Sequence, residues 1–188
     1  MTACPLCRMK LISEPHPESG SVGYRCDNCG VFRISNTADI VLKKRGFEPN
    51  KLAQLSYAVR RMGGNTLLTS DLLESILQDT KLPDASTLQD NLLLFMQSEL
   101  AGPGEVTELY PPAMRACLGA LSDTSARWVI GQALSAQLIE GTVSQLLADR
   151  GEFNLHHATL TTHGWARVEE LLRSANGSQT VRTKVSWQ

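Results

Sequence analysis

Aromatic residues are scarce in this sequence: 4 Phe, 3 Trp and 3 Tyr make up 5% of 188 residues. Large β-sandwiches draw on aromatic and β-branched side chains, so the scarcity argues for a helical body rich in Ala and Leu. Long apolar runs are missing too, and no transmembrane helix is expected. Met1-Thr2-Ala3-Cys4-Pro5 has no basic segment leading into an apolar one. A secretory signal is therefore not expected, and the expected compartment is the cytoplasm. An excess of charge of either sign is also absent, with 18 Lys+Arg against 19 Asp+Glu. That balance excludes a globally basic nucleic-acid binder as a simple reading. The glycine-rich phosphate and dinucleotide signatures and the G-x-S-x-G elbow do not occur. With no constellation for phosphoryl, hydride or nucleophilic chemistry, the chain reads as non-enzymatic on its own.

The remaining composition, 42% hydrophobic and 20% charged, is that of a folded globular protein, and the length allows one to two domains. The near-zero net charge hides a segregation. Residues 1–62 carry 10 basic and 5 acidic side chains, residues 63–124 carry 2 and 9, and residues 125–188 carry 6 and 5. A basic end, an acidic middle and a balanced end suggest surfaces for different partners, or parts that face one another.

Four of the five cysteines fall in two C-x-x-C pairs, Cys4/Cys7 and Cys26/Cys29, with 18 residues between the pairs. This spacing lies in the range of zinc sites, and without an export signal it favours metal over disulfides. Two thiolates two residues apart fit two corners of a tetrahedron, so two such knuckles close a Cys4 shell around one structural Zn²⁺. Four protein thiolates leave no open position for catalysis. Tyr24 and Phe32 flank the second knuckle and can cover one side. Competing readings are redox-active C-x-x-C pairs and His16 as a replacement ligand. Cys117, in an apolar helical stretch, reads as a small core hydrophobe. His156 and His157 alternate on a strand and do not chelate together.

Short strands are expected at 11–12, 22–25 and 31–34, and helices over 50–62, from a Thr69 or Ser70 cap to Pro83, over 86–100, 111–121 and 125–140. Asn50 is the expected cap of the first of these helices. Trp128, Val129, Leu134, Leu138 and Ile139 are expected inward on the last. Strands follow at 142–147 and 154–160 around an Asp149–Glu152 turn, then a helix to about Arg173. The fold class is mainly α with small β elements. Its expected parts are a zinc ribbon (1–46), a helical body (47–124), a winged-helix-like unit (125–173) and a polar linker or tail (174–188).

The helix–hairpin–helix order from 125 onward, with Leu160-Thr161-x-x-Gly164-Trp165 after the hairpin, resembles winged-helix proteins. A helix that reads DNA needs basic and amide side chains. Residues 125–140 offer Arg127, Gln132 and Gln137 against Glu140, so a packing or dimerisation role is favoured. Any nucleic-acid footprint is expected on the basic zinc-ribbon side: Arg25, Arg33, Lys43, Lys44, Arg45, Lys51, Arg60 and Arg61.

Cys4-Pro5-x-Cys7, Cys26-x-x-Cys29-Gly30, Leu82-Pro83 and Leu160-Thr161-x-x-Gly164-Trp165 together resemble a group of bacterial proteins, several linked to phage defence. In that group a zinc ribbon and a helical region precede an effector domain, such as a nucleoside deoxyribosyltransferase-like or TIR-like one. The resemblance covers residues 1–173. It implies a non-catalytic, zinc-binding regulatory or sensor module that works through protein–protein contacts, with a protein partner or homo-oligomer. The alternative is a DNA- or RNA-binding regulator. No membrane partner is expected.

Overall fold

The computed structural model describes residues 2–64, 66–144 and 154–182. Three short strands come first: β1 (His16–Glu18), β2 (Ser21–Cys26) and β3 (Gly30–Ser35). They form an antiparallel meander, and β4 (Leu67–Leu68) adds in parallel to β3. Alternation sets the faces. Tyr24, Phe32 and Ile34 are buried while Arg25 and Val31 face outward. Tyr24 lies opposite Phe32 in register, and their rings stack with centroids 5.4 Å apart.

Helix α1 (Asn36–Arg45) was not legible as a helix in the run Ile40-Val41-Leu42. Its Ser35 N-cap accepts a hydrogen bond from the Ala38 N–H, and Ala38 and Leu42, four residues apart, are its fully buried positions. Helix α2 (Pro49–Met62) has Glu48 as its N-cap, two residues before the expected Asn50 cap, with Pro49 in its first turn. Helix α3 (Ser70–Asp79) is capped as expected by Thr69, whose hydroxyl accepts from the Leu72 N–H. Helix α4 (Ala85–Glu99) buries Leu92, Leu93 and Met96. Strand β5 (Thr107–Leu109), too short to be read from periodicity, leads into α5 (Pro111–Leu118).

Helix α6 (Asp123–Ser135) buries Ala126, Val129, Ile130 and Ala133, spaced i, i+3, i+4, i+7. Trp128 falls off that stripe and is 50% exposed, which corrects its expected inward placement. Strands β6 (Ile139–Ser144) and β7 (Asn154–Leu160) pair antiparallel, and β5 pairs with the other edge of β7. The expected continuation of the first of these strands to 147 and the turn at 149–152 lie outside the described residues. Helix α7 (Thr162–Arg182) continues past Arg173, so the backbone from 174 to 182 is helical where a linker was expected. That stretch has no proline, and its glycine weakens a helix without forbidding it.

Seven helices and two small sheets among the described residues make the chain mainly α with small β elements. They fall into two compact units, residues 1–88 with 110–128, and residues 89–109 with 129–188. Each unit is assembled from separated stretches of chain, whereas the sequence suggested consecutive segments. The first unit carries a continuous apolar core that includes Leu6, Phe32, Leu42, Leu55, Leu68 and Ile76. In the second, Arg167 of α7 grips the Asp90 carboxylate of α4 with two bonds of 3.0 Å.

The Leu160-Thr161-x-x-Gly164 step has a local explanation. The Thr161 hydroxyl donates to Gln137 O at 2.6 Å and accepts from the Gly164 N–H at 3.1 Å. This draws the first turn of α7 onto the end of α6. A β-carbon at Gly164 would lie 2.0 Å from Leu138 O, closer than any side chain can approach.

Candidate metal centre

Each pair of cysteines sits on a tight turn whose backbone closes on itself. In the first, Cys4 N donates to Met9 O at 2.7 Å and Arg8 N donates to Cys4 O at 3.0 Å. In the second, Cys26 and Gly30 are the last paired residues of the β2–β3 hairpin. The residue after each second cysteine is left-handed: Arg8 has φ 64° and Gly30 has φ 81°. Two turns of the same design thus face each other from separate hairpins.

The four sulfurs, Cys4, Cys7, Cys26 and Cys29, lie within 4.8 Å of one another. Cys4 Sγ is 3.8 Å from Cys29 Sγ, and Cys7 Sγ is 3.4 Å from Cys26 Sγ. Each of these contacts joins one knuckle to the other. A tetrahedron with metal–sulfur bonds of 2.3 Å has edges of about 3.8 Å, so the cluster has the dimensions of a tetrathiolate metal site. All four cysteines are free of disulfides. Cys4, Cys26 and Cys29 are buried and Cys7 is partly so.

The sulfurs split one another's acidity. Contact with the Cys29 sulfur, and then with Cys4 and Cys7, holds the Cys26 thiol far below its ordinary value. Contact with Cys26 in turn pushes Cys4 and Cys29 up, and burial adds to the rise. A buried group of thiolates is costly unless a cation neutralises it, and this donor set fits one divalent metal ion.

Residues that the sequence did not single out surround the cluster. Ser56 of α2 places its hydroxyl oxygen 3.5 Å from Cys29 Sγ. Asn28, inside the second knuckle, has its amide nitrogen 3.9 Å from the same sulfur and accepts the Ala116 N–H of α5 at 2.7 Å. Arg115 donates to Cys7 O at 3.4 Å. Nothing in the sequence signals these contacts, because Asn28 and Ala116 are 88 residues apart.

The other expected site residues are dispersed. His16 is exposed on β1 and is not part of the cluster. Arg25 and Arg33 lie on the outward side of β2 and β3; Arg33 pairs with Glu18 and donates to Ser21. Lys43 is held by Asp39 at 2.6 Å, which in turn accepts the Tyr24 hydroxyl at 2.6 Å. Lys44 and Lys51 are exposed, and Arg45 is described only as the last residue of α1. Arg60 reaches Asp27 O beside the second knuckle, and Arg61 donates to the Tyr57 hydroxyl at 2.9 Å. Cys117 is only partly buried, with its sulfur 2.9 Å from Met114 O, away from the cluster. His156 pairs with Glu108, and the His157 N–H donates to the same carboxylate. Among the described residues no other group of three or more His, Cys, Asp or Glu could hold a metal, and no helix is long and apolar enough to cross a membrane.

No protein-family model matches the chain, and no curated protein and no solved structure matches it either.

Proposed function

We propose that the chain is a non-catalytic, zinc-binding regulatory module, a sensor or scaffold that acts through protein–protein contacts. The carrying observation is the four-sulfur cluster, which supplies a complete tetrahedral shell from protein donors alone. Zinc is the favoured metal because it takes four thiolates without redox change or a competing geometric preference. Its role is structural, clamping two hairpins that are too small to form a core of their own. The acidic middle of the sequence and α6, whose one arginine is matched by one aspartate, support protein rather than nucleic acid as partner.

The order α6, β6, β7, α7 supports a winged-helix-like reading of this region, used for packing or dimerisation. In a bacterial cytoplasm such a module would regulate an effector domain, as in the proteins it resembles. Metal analysis tests the first part: the purified chain should carry about one equivalent of zinc, and Cys26→Ser should lose it. Size-exclusion chromatography with light scattering tests the second. A homodimer or a co-purifying protein is expected, and a partnerless monomer counts against the scaffold role.

The second reading is a DNA- or RNA-binding regulator using the ribbon face. One observation favours it: Arg25 is exposed beside Val31, which is 54% exposed, on the outward side of the sheet. This reading predicts binding that weakens with salt and on substitution of Arg25 and Lys44. No shift with any nucleic acid at low salt removes it.

A further inference from the structure

Beside the first knuckle lies a cleft of about 210 Å³. One wall is a stripe of α2, with Pro49, Leu52, Ala53 and Ser56 at helical spacing i, i+3, i+4, i+7. Leu121, 43% exposed, adds apolar surface after α5, and the buried Leu6 and Ala116 close the floor. No carboxylate lines the cleft, but two guanidinium groups do, those of Arg8 and Arg115.

These two cations differ in availability. Arg115 is committed, with Nε 3.1 Å from Asp123 Oδ1 and Nη2 donating to Cys7 O. The Arg8 side chain has no hydrogen bond or ion pair among the described residues. The Arg8 backbone holds the left-handed position that glycine fills in the second knuckle, so glycine can replace Arg8 there. An uncommitted guanidinium beside an apolar cleft offers an anion a paired hydrogen-bond donor.

The geometry points to a binding site for a small organic monocarboxylate. Its apolar body lies along Leu52, Ala53 and Leu121, and its carboxylate takes the paired N–H groups of Arg8. The volume is below the range of about 300–1,000 Å³ typical of drug-sized ligands, which limits the occupant to a compact metabolite. A phosphate dianion suits the site poorly, since apolar walls cannot replace its hydration and one guanidinium is free. This inference goes beyond the metal site and does not depend on which partner the module serves.

The test is calorimetric titration of the metal-loaded full chain with benzoate, phenylacetate and isovalerate, with benzamide and inorganic phosphate as controls. At least one carboxylate should bind at millimolar concentration and move the amide resonances of Ala53 and Ala116, while benzamide and phosphate do not. Arg8→Gly should weaken binding by about tenfold to a hundredfold, the loss of one charge-assisted contact. It should keep its metal and keep or raise its thermal midpoint, because glycine suits the backbone there. Ala53→Leu, which fills the cleft from a helical position, should abolish binding. The site is overturned if none of the three carboxylates binds, if a control binds as well as they do, or if Arg8→Gly binds like the unmodified chain. Metal content is read separately, so failure here leaves the zinc reading standing.

Discussion

Tyr24, Asp39 and Lys43 form a short chain of contacts between β2 and α1. Burial first, and then the hydrogen bond given to Asp39, pushes the Tyr24 phenol up to about 12. An unfolded tyrosine releases its proton near 10, so between those values the folded chain holds the extra proton. The stability from this group is therefore full below about 10 and is lost as pH rises through about 12. Lys43, raised chiefly by its bond to Asp39, works in the same direction above its own ordinary value. Urea unfolding at a series of alkaline pH values should show the descent, and Tyr24→Phe should make it shallower. Asn28 gives a second test at this scale. Its amide oxygen is the partner of the buried Ala116 N–H, so Asn28→Ala should cost about 1–3 kcal/mol in denaturant unfolding of the metal-loaded protein. An unchanged midpoint would show that water replaces the bond.

At the scale of elements, the step between α6 and α7 is fixed by backbone contact. Gly164→Ala would set a β-carbon against Leu138 O, and neither backbone can give way cheaply. A loss of about 2–4 kcal/mol is expected, read as a lower thermal midpoint, and a neutral effect would mean that α7 starts elsewhere in solution. The sequence made this motif visible as a resemblance, but its reason is visible only in three dimensions. Helices α2 to α6 were legible in outline because Pro49, Gly63, Pro83 and Gly102 punctuate apolar stripes of helical period. Gly119, however, expected inside a helix over 111–121, ends α5 at Leu118, and α6 ends at Ser135 rather than 140. Helix α1 was not legible, because its β-branched Ile40-Val41 pair masks a buried apolar face of only two residues, Ala38 and Leu42. Strand β5 was not legible either: three residues carry no period, and its partner β7 lies some 50 residues onward. In the candidate site the four sulfurs could be named from spacing alone. Ser56, Asn28 and Ala116 could not, since a contact between distant segments leaves no local pattern.

At the scale of the whole molecule, the chain passes between its two units three times, at 88/89, 109/110 and 128/129. No single cut releases either unit intact. A fragment ending at residue 88 keeps the four clustered cysteines but loses α5, and with it Met114, Ala116 and Leu118. It should still take up about one metal ion and unfold at a lower denaturant concentration than the full chain. Equal midpoints for fragment and full chain would mean that α5 adds nothing to the first unit. The same interleaving sets an order in time. The ribosome adds about 5–20 residues per second, so an 88-residue separation delays Ala116 by about 4–18 seconds after Asn28 has been made. During that delay the thiols of Cys4, Cys7, Cys26 and Cys29 leave the ribosome before α5, which bonds to Asn28 and to the Cys7 carbonyl, exists. Metal capture can therefore precede the packing that later shields it, and the supply of metal during translation bears on how the first unit folds.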